Sequence, residues 1–332
     1  PVGKSTTTAV NFFDQGRRTG YSQQFNLGIQ HQLPGSSVVE VSFIGNDGRK
    51  LPNATLSINQ IPPQILGPGH SSQSDRPFPQ FTNVSIVSPT LAISNYYAGL
   101  IRFEKRFSGG LNVVANYTRS KFLDDSFEGG SAVGANNGPY SNYYNRRADY
   151  GYGGNDIENR FVFSTVYELP FGAGKRWLAG GVAGQIVGGW SLSNVTTWQS
   201  GAPITIVTQT NTTNAFSAGA QRANVLRNPN LNDRMVHQWF DVAAFAQPAI
   251  YRFGNEGVGI TRAPGLVNFD ISIQRRFRIR EGMNFQLRGE FFNAFNHTKL
   301  LLPNTTLGSP TFGQINSAGP ARQIELGARL EF

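Results

Sequence analysis

Apolar and polar residues alternate one by one through long stretches of this chain, and that alternation limits the folds available to it. A period of two is the signature of a β-strand with unlike faces, because successive side chains point to opposite sides of a sheet. Residues 323–332 are the cleanest case: Ile324, Leu326, Ala328, Leu330 and Phe332 alternate with Gln323, Glu325, Gly327, Arg329 and Glu331. Val267, Phe269, Ile271 and Ile273 share a face opposed by Asn268, Asp270, Ser272 and Gln274. Phe285, Leu287, Gly289 and Phe291 oppose Asn284, Gln286, Arg288 and Glu290. The same reading places Phe25, Leu27 and Ile29 together, then Val39, Val41 and Phe43, then Tyr97, Gly99, Ile101 and Phe103. Further faces run through Leu111, Val113, Ala115 and Tyr117, through Phe161, Phe163, Thr165, Tyr167 and Leu169, and through Trp190 and Leu192. About nine strands result, many of them near the span of about 9–11 residues that a tilted membrane-crossing strand needs. Helical periodicity is nearly absent. One short helix is expected near residues 233–240.

The connections sort by length. Residues 32–36, 107–111 and 277–283 are tight turns, and residues 170–184 form a somewhat longer glycine-rich link. Between them lie long connections at about residues 46–95, 124–158, 200–265 and 296–322. In an up-and-down meander, strict alternation of long and short sends every long loop to one end and every short turn to the other. Outer-membrane barrels have that asymmetry, with short periplasmic turns and long extracellular loops. The expected fold is therefore all-β: a partial antiparallel up-and-down transmembrane β-barrel of about nine or ten strands. Lipid accounts for the pattern, since backbone groups in hydrocarbon must pair within the sheet. The apolar face then meets lipid, and Arg102, Glu104, Asp270, Arg288, Glu290, Glu325 and Arg329 face the lumen.

Composition removes other classes. There is no Cys, which excludes disulfide scaffolds, cysteine metal sites and thiol nucleophiles. Aromatics at 12% argue against disorder. No apolar run reaches the length of a membrane helix; the longest candidate, around residues 177–190, is broken by glycines and a Gln. The chain starts at Pro1 with no signal-like segment, residues 1–19 read as a polar loop, and the chain is expected to be a fragment.

The last residues, Glu-Leu-Gly-Ala-Arg-Leu-Glu-Phe, are similar to the C-terminal signal by which the barrel-assembly machinery recognises bacterial outer-membrane proteins. Glu325, Gly327, Leu330 and Phe332 fill its polar, glycine and two hydrophobic places. Addition of an exposed strand to an open sheet edge is the physical mode such a signal suits.

Four segments carry a broader likeness. They are Tyr-Glu-Leu-Pro-Phe-Gly-Ala-Gly-Lys-Arg-Trp (residues 167–177) and Gly-Gly-Trp-Ser-Leu-Ser through Gln-Ser-Gly-Ala-Pro-Ile-Thr-Ile (residues 188–206). Trp-Phe-Asp-Val-Ala-Ala-Phe (residues 239–245) and Arg-Gly-Glu-Phe-Phe-Asn-Ala-Phe-Asn-His (residues 288–297) complete the set. With them the chain resembles the C-terminal barrel of the Oar-like TonB-dependent receptors of Gram-negative bacteria. The resemblance implies a cell outer membrane location and ligand capture by extracellular loops, followed by energy-coupled import through a plugged lumen. It implies as partners outer-membrane lipid, the barrel-assembly machinery, the TonB complex and an extracellular ligand. In that family a carboxypeptidase-regulatory-like domain, a TonB-contacting segment and a plug precede the barrel. Residues 1–332 are accordingly expected to be the C-terminal part of one barrel domain, N-terminally incomplete. The alternatives are a non-transporting structural or cell-surface interaction protein and, more distantly, a soluble β-rich module.

Catalytic constellations are not found. His31, His70, His237 and His297 are scattered, with no His-Glu-x-x-His. Gly172-Ala-Gly174-Lys175 lacks the first glycine and the Ser/Thr of a phosphate loop. No Gly-x-Ser-x-Gly elbow occurs, and Asp124, Asp125 and Glu128 lack the EF-hand spacing. No enzyme, cofactor or metal site is assigned. The formal charge of +9 invites a nucleic-acid reading. Against it, Lys105, Arg106, Lys175, Arg176, Arg275, Arg276, Arg278 and Arg280 all gather near the short turns, as one rim of a barrel. For ligand contact the candidates are Tyr140, Tyr143, Tyr144, Tyr150 and Tyr152, in one long connection; the bland reading is that they pack the loop or join an aromatic girdle.

Overall fold

A computed structural model describes residues 8–125 and 140–332. Nine long strands form one sheet in chain order: β1 (Tyr21–Leu33), β2 (Ser37–Leu51), β3 (Ala92–Ser108), β4 (Leu111–Asp124), β5 (Asn159–Glu168), β6 (Trp190–Gln199), β7 (Leu266–Arg280), β8 (Met283–Phe292) and β9 (Gln323–Glu331). Every neighbouring pair is antiparallel. A two-residue strand, Gly151–Tyr152, adds to the far end of β4. The sheet is a pure meander, and among the described residues β1 and β9 are edges not joined to each other. The wall is a partial barrel.

The register keeps one apolar face continuous across all nine strands. Leu27 stands opposite Phe43, Ile29 opposite Val41, and Val41 opposite Ile101. The face continues through Ile101–Tyr117, Tyr117–Phe161 and Phe161–Trp198, then through Trp198–Val267, Ile271–Phe291 and Phe291–Ile324. A slip of one residue anywhere would turn a strand's apolar set to the wrong side. The face is uncovered by protein: Leu27 and Ile29 are each 72% exposed and Leu326 is 84% exposed. Such a surface is stable against hydrocarbon and not against water. One glycine in it is required by a close approach. The Phe25 ring lies over Gly45, where a Cβ would come within 2.1 Å of the ring. Phe25, Phe43 and Tyr97 cluster there, with Phe43 and Tyr97 stacked at 6.4 Å.

The opposite face is polar and self-paired. Arg102 meets Glu104 at 2.8 Å and Arg288 meets Glu290 at 3.3 Å, each two residues apart on one strand. Arg329 and Arg276 both approach Glu331, at 3.4 and 3.8 Å. Alternation places these partners on the same side, so the lumenal charges offset one another.

The connections alternate as read, but the long ones are folded rather than loose. Strands β2 and β3 extend further than the alternation suggests, so their connection shortens to residues 52–91. Within the stretch read as a polar loop, Ala9–Phe12 is a strand that pairs in parallel with Asn83–Ile86, which also pairs with Leu56–Ser57. The helix expected near residues 233–240 is absent. Met235 and Gln238 close a tight turn there, while the Trp239 amide donates to Gly313 O (2.8 Å) and Ile315 donates to Val236 O (2.8 Å). Pairing with residues 313–315 takes the groups a helix would use internally. A single 3-10 turn forms instead at Val242–Ala244, capped by Asp241, whose side chain accepts from the Ala243 amide. The one α-helix among the described residues, α1 (Gly181–Val187), lies in the glycine-rich link between β5 and β6.

Candidate functional site: an interlocked external cap

All four long connections leave the same end of the wall and fold against one another. Two apolar clusters form there. Ile204, Ile206, Ala223, Phe240, Ala244, Phe245 and Ala263 make the larger, and Ile61, Leu66 and Ala215 the smaller. Phe240, Phe245 and Phe312 meet edge to face at 5.2 to 6.0 Å. A rim of the barrel therefore carries a water-facing body with its own core. No local periodicity announces this core: the buried residues of the larger cluster lie far apart along the third connection, with Leu307 and Phe312 of the fourth packed against them, and the smaller cluster joins the first connection to the third.

Buried polar contacts lock the connections together. Gln60 Nε2 donates to Asn142 Oδ1 (2.8 Å), and the Tyr143 amide returns a bond to Gln60 Oε1 (2.9 Å). The Ile61 amide donates to Ala215 O (2.9 Å), and the Arg76 guanidinium lies 4.6 Å from the Phe216 ring centre. Arg222 pairs with Asp149 across connections, both almost wholly buried, and its Nε donates to Glu256 O (2.9 Å). Asp156, wholly buried, pairs with the partly exposed Arg262. Val207–Thr208 and Thr306–Leu307 pair as parallel strands, joining the third connection to the fourth. Buried pairs of this kind hold geometry more than they add stability, since desolvation offsets much of the attraction.

One carboxyl in the cap is unusual. Glu256 is buried; its Oε1 accepts from the Ile206 amide (2.8 Å), and its Oε2 has no hydrogen-bond partner among the described residues. Burial pushes its pKa up to about 8, against the opposing hydrogen bonds and the nearby Arg222. Burial thus favours the protonated form of this carboxyl.

The sequence-predicted tyrosines separate by environment. Tyr140 is buried and donates to Asp125 Oδ2 (3.2 Å); burial and the Asp125 charge raise its pKa. Asp125 in turn accepts from the Ile93 amide (2.7 Å), and burial raises its pKa. Tyr150 donates to Asn95 Oδ1 (2.9 Å) on β3. Tyr152 lies in the short strand beside β4, with the Arg262 guanidinium 5.1 Å from its ring centre. Tyr143 and Tyr144 stack edge to face at 5.1 Å, and Tyr144 is exposed while donating to Gln60 O (3.3 Å). Of the Asp124, Asp125 and Glu128 group, Glu128 lies outside the described residues. Sequence reading missed a cleft of about 600 Å³ between the ends of β6 and β7 and the fourth connection, lined by Ile157, Ala202, Pro264, Leu300, Leu301 and Leu302. Its lining comes from five chain segments, and no spacing signals it.

A wall with a bare apolar face, a charge-paired lumen and one capped end invites comparison with known proteins. The family profile described as "Outer membrane beta barrel domain" matches residues 1–325. The chain belongs to the outer membrane beta barrel domain family. Its place is the outer membrane, and its wall is the family's barrel seen in part. No curated protein matches it. Among solved structures it is similar in fold to the outer membrane transporter YddB from Escherichia coli, at 8% identity and TM-score 0.49, over 99% of this chain and 35% of that one. It is also similar to the FrpB iron transporter from Neisseria meningitidis, at 10% identity and TM-score 0.46, over 97% of this chain and 33% of that one. A third is the ferric-catecholate import receptor Fiu from E. coli, at 11% identity and TM-score 0.44, over 97% and 30%. This barrel chain thus spans about a third of the length of those structures. In the barrel, Glu325 and Gly327 stand on the lumenal face of β9, opposite Glu290 and Arg288; Leu330 stands on the lipid face opposite Phe285, and Phe332 is exposed just beyond the strand.

Proposed function

We propose that this chain is the closing part of a TonB-dependent outer-membrane receptor barrel of the Oar-like kind. Its cap captures an extracellular ligand, and import proceeds through a lumen that an N-terminal plug fills. The observation that carries this reading is the joining of four long connections into one folded body over a polar, charge-paired wall. A receptor needs a preorganised external surface above a wettable passage, and loops held by buried pairs supply the first part. The two open edges of the sheet support a barrel completed by further strands, since large plugged barrels have about 22. Tyr143 and Tyr144, at the cap surface, are the proposed ligand contacts. Glu325, Gly327, Leu330 and Phe332 are the proposed assembly signal on the free edge of β9, read by the barrel-assembly machinery through strand pairing.

The test uses cells that display the full-length receptor, with and without a working TonB complex. Labelled ferric siderophores, cobalamin and oligosaccharides are the probes. TonB-dependent accumulation of one of them, lost in the Tyr143→Ala, Tyr144→Ala double variant, is expected. Normal surface display with accumulation of none supports the second reading, a non-transporting surface protein. The locked cap is compatible with that second reading too, because a fixed outer body also suits adhesion or scaffolding.

A further inference from the structure

The link between β5 and β6 differs from the other short turns. Residues 34–36, 109–110 and 281–282 turn tightly, whereas residues 169–189 build a small folded element containing α1. Three glycines let it fold back on itself. A Cβ on Gly188 would come within 2.4 Å of Gly184 O and 2.6 Å of the Gly172 Cα, and a Cβ on Gly184 within 2.2 Å of Leu178 O. Those glycines face inward. Val182 and Ile186, four apart on the helix and so on one side of it, face outward at 73% and 63% exposure. Trp177 and Leu178 are exposed beside them. These values match the lipid-facing side chains of the strands.

The α1 end of the element sits on the lipid side of the wall, while Lys175 in its first half pairs with Glu168 on the lumenal side (2.6 Å). The Trp190 indole donates to Ile186 O (3.2 Å), and the Arg275 guanidinium donates to the carbonyls of Gln185 and Ile186. Trp190 and Arg275 stand opposite each other in the register, on the face that carries Leu192 and Ile273. Arg275 also lies 4.1 Å from the Phe277 ring centre, and Arg176 lies 5.5 Å from the Trp177 ring centre. An apolar helix face, tryptophans and arginines at one level form the composition of an element lying in a membrane interface.

We propose that residues 169–189 are an interfacial anchor that binds the anionic phospholipid of the leaflet at the short-turn end. Val182, Ile186 and Leu178 enter the acyl boundary, the Trp177 ring lies at headgroup level, and Arg176 meets a lipid phosphate. Arg275 positions the anchor through the carbonyl end of α1. Short turns of bacterial barrels face the periplasm, so the leaflet is the inner one. The anchor rests on the outer-membrane location of the family and is independent of any transport.

Residues 1–332 contain no cysteine, so each single cysteine placed among them carries one fluorescent label. The labels go at Val182→Cys and Ile186→Cys, with Leu287→Cys on the strand face as reference and Ser272→Cys on the lumenal face. The protein is inserted into vesicles of phosphatidylcholine and phosphatidylglycerol and read with acyl-brominated lipid and with aqueous iodide. Quenching by brominated lipid at 182 and 186, comparable to that at 287, is expected. Iodide quenching at 182 and 186 with lipid quenching at 287 overturns the anchor and leaves the barrel standing. Iodide quenching at all three overturns insertion of the wall as well. Arg176→Glu is expected to lower lipid quenching at 182 by about half in the anionic vesicles. Unchanged quenching overturns the headgroup contact.

Discussion

The wall and the cap solve opposite problems with one chain. In the wall, apolar side chains point away from protein and stay bare, while ladder hydrogen bonds and lumenal ion pairs lie within. In the cap, apolar side chains point inward to Phe240, Ile204 and Ile206, and the ion pair Arg222–Asp149 is buried with them, as is the Asp156 carboxylate that Arg262 reaches from the surface. The wall is built for hydrocarbon and the cap for water. The boundary is sharp. Phe161 and Trp198 close the lipid face of their strands, and within a few residues Ile204 lies wholly buried.

Substitutions of matched kind should therefore act oppositely in the two regions. The largest effect is expected for Arg222→Leu, which leaves the buried Asp149 carboxylate without its cation, at about 3–5 kcal/mol. Limited proteolysis of the folded protein should cut the cap connections while heat-dependent gel mobility of the wall is kept. Loss of both together breaks the separation. Next comes Ile273→Arg, a charge on the lipid face, at about 2–4 kcal/mol near the membrane centre. It should shift the folding equilibrium in vesicles and leave cap proteolysis unchanged. A smaller effect follows from Glu256. Its folded pKa of about 8 lies above the ordinary 4.5, so the folded cap holds a proton that the unfolded chain has lost. The stability that depends on the Glu256 proton is then full below 4.5 and is lost as pH rises toward about 8. Glu256→Gln should flatten that fall, measured as proteolysis rate against pH; an unchanged slope assigns the pH dependence elsewhere. Last, Ser272→Arg, one residue from Ile273 but on the lumenal face, should alter folding by less than about 1 kcal/mol. A penalty equal to that of Ile273→Arg would undo the assignment of faces.

The wall was legible because each of its strands carries its environment in its own alternation. Val267, Phe269, Ile271 and Ile273 announce a face without reference to any other segment. Even there the ends blur: Asp47, Gly48 and Arg49 belong to β2 although nothing apolar marks them. The cap was not legible, because its order comes from partners distant in sequence. Arg222 finds Asp149 and Arg262 finds Asp156, and no local pattern pairs an arginine with one aspartate over another. The tyrosines show the same limit. Their clustering in one connection is visible in sequence, but Tyr140 turns inward to Asp125 while Tyr144 stays at the surface. The helix α1 escaped notice because it is only seven residues long and Gly181 and Gly184 within it dilute its apolar pattern.

The meander also carries a directional arithmetic. Strand β1 runs from the capped end to the tight turn at residues 34–36, and β9 leaves the fourth long connection and runs the same way. The two free margins of the sheet are therefore co-directional. Joining them to each other would create a parallel seam, which an even-numbered bacterial barrel does not contain. Any completion that keeps neighbours antiparallel must interpose an odd number of strands, the first and last of them both running back toward the cell surface.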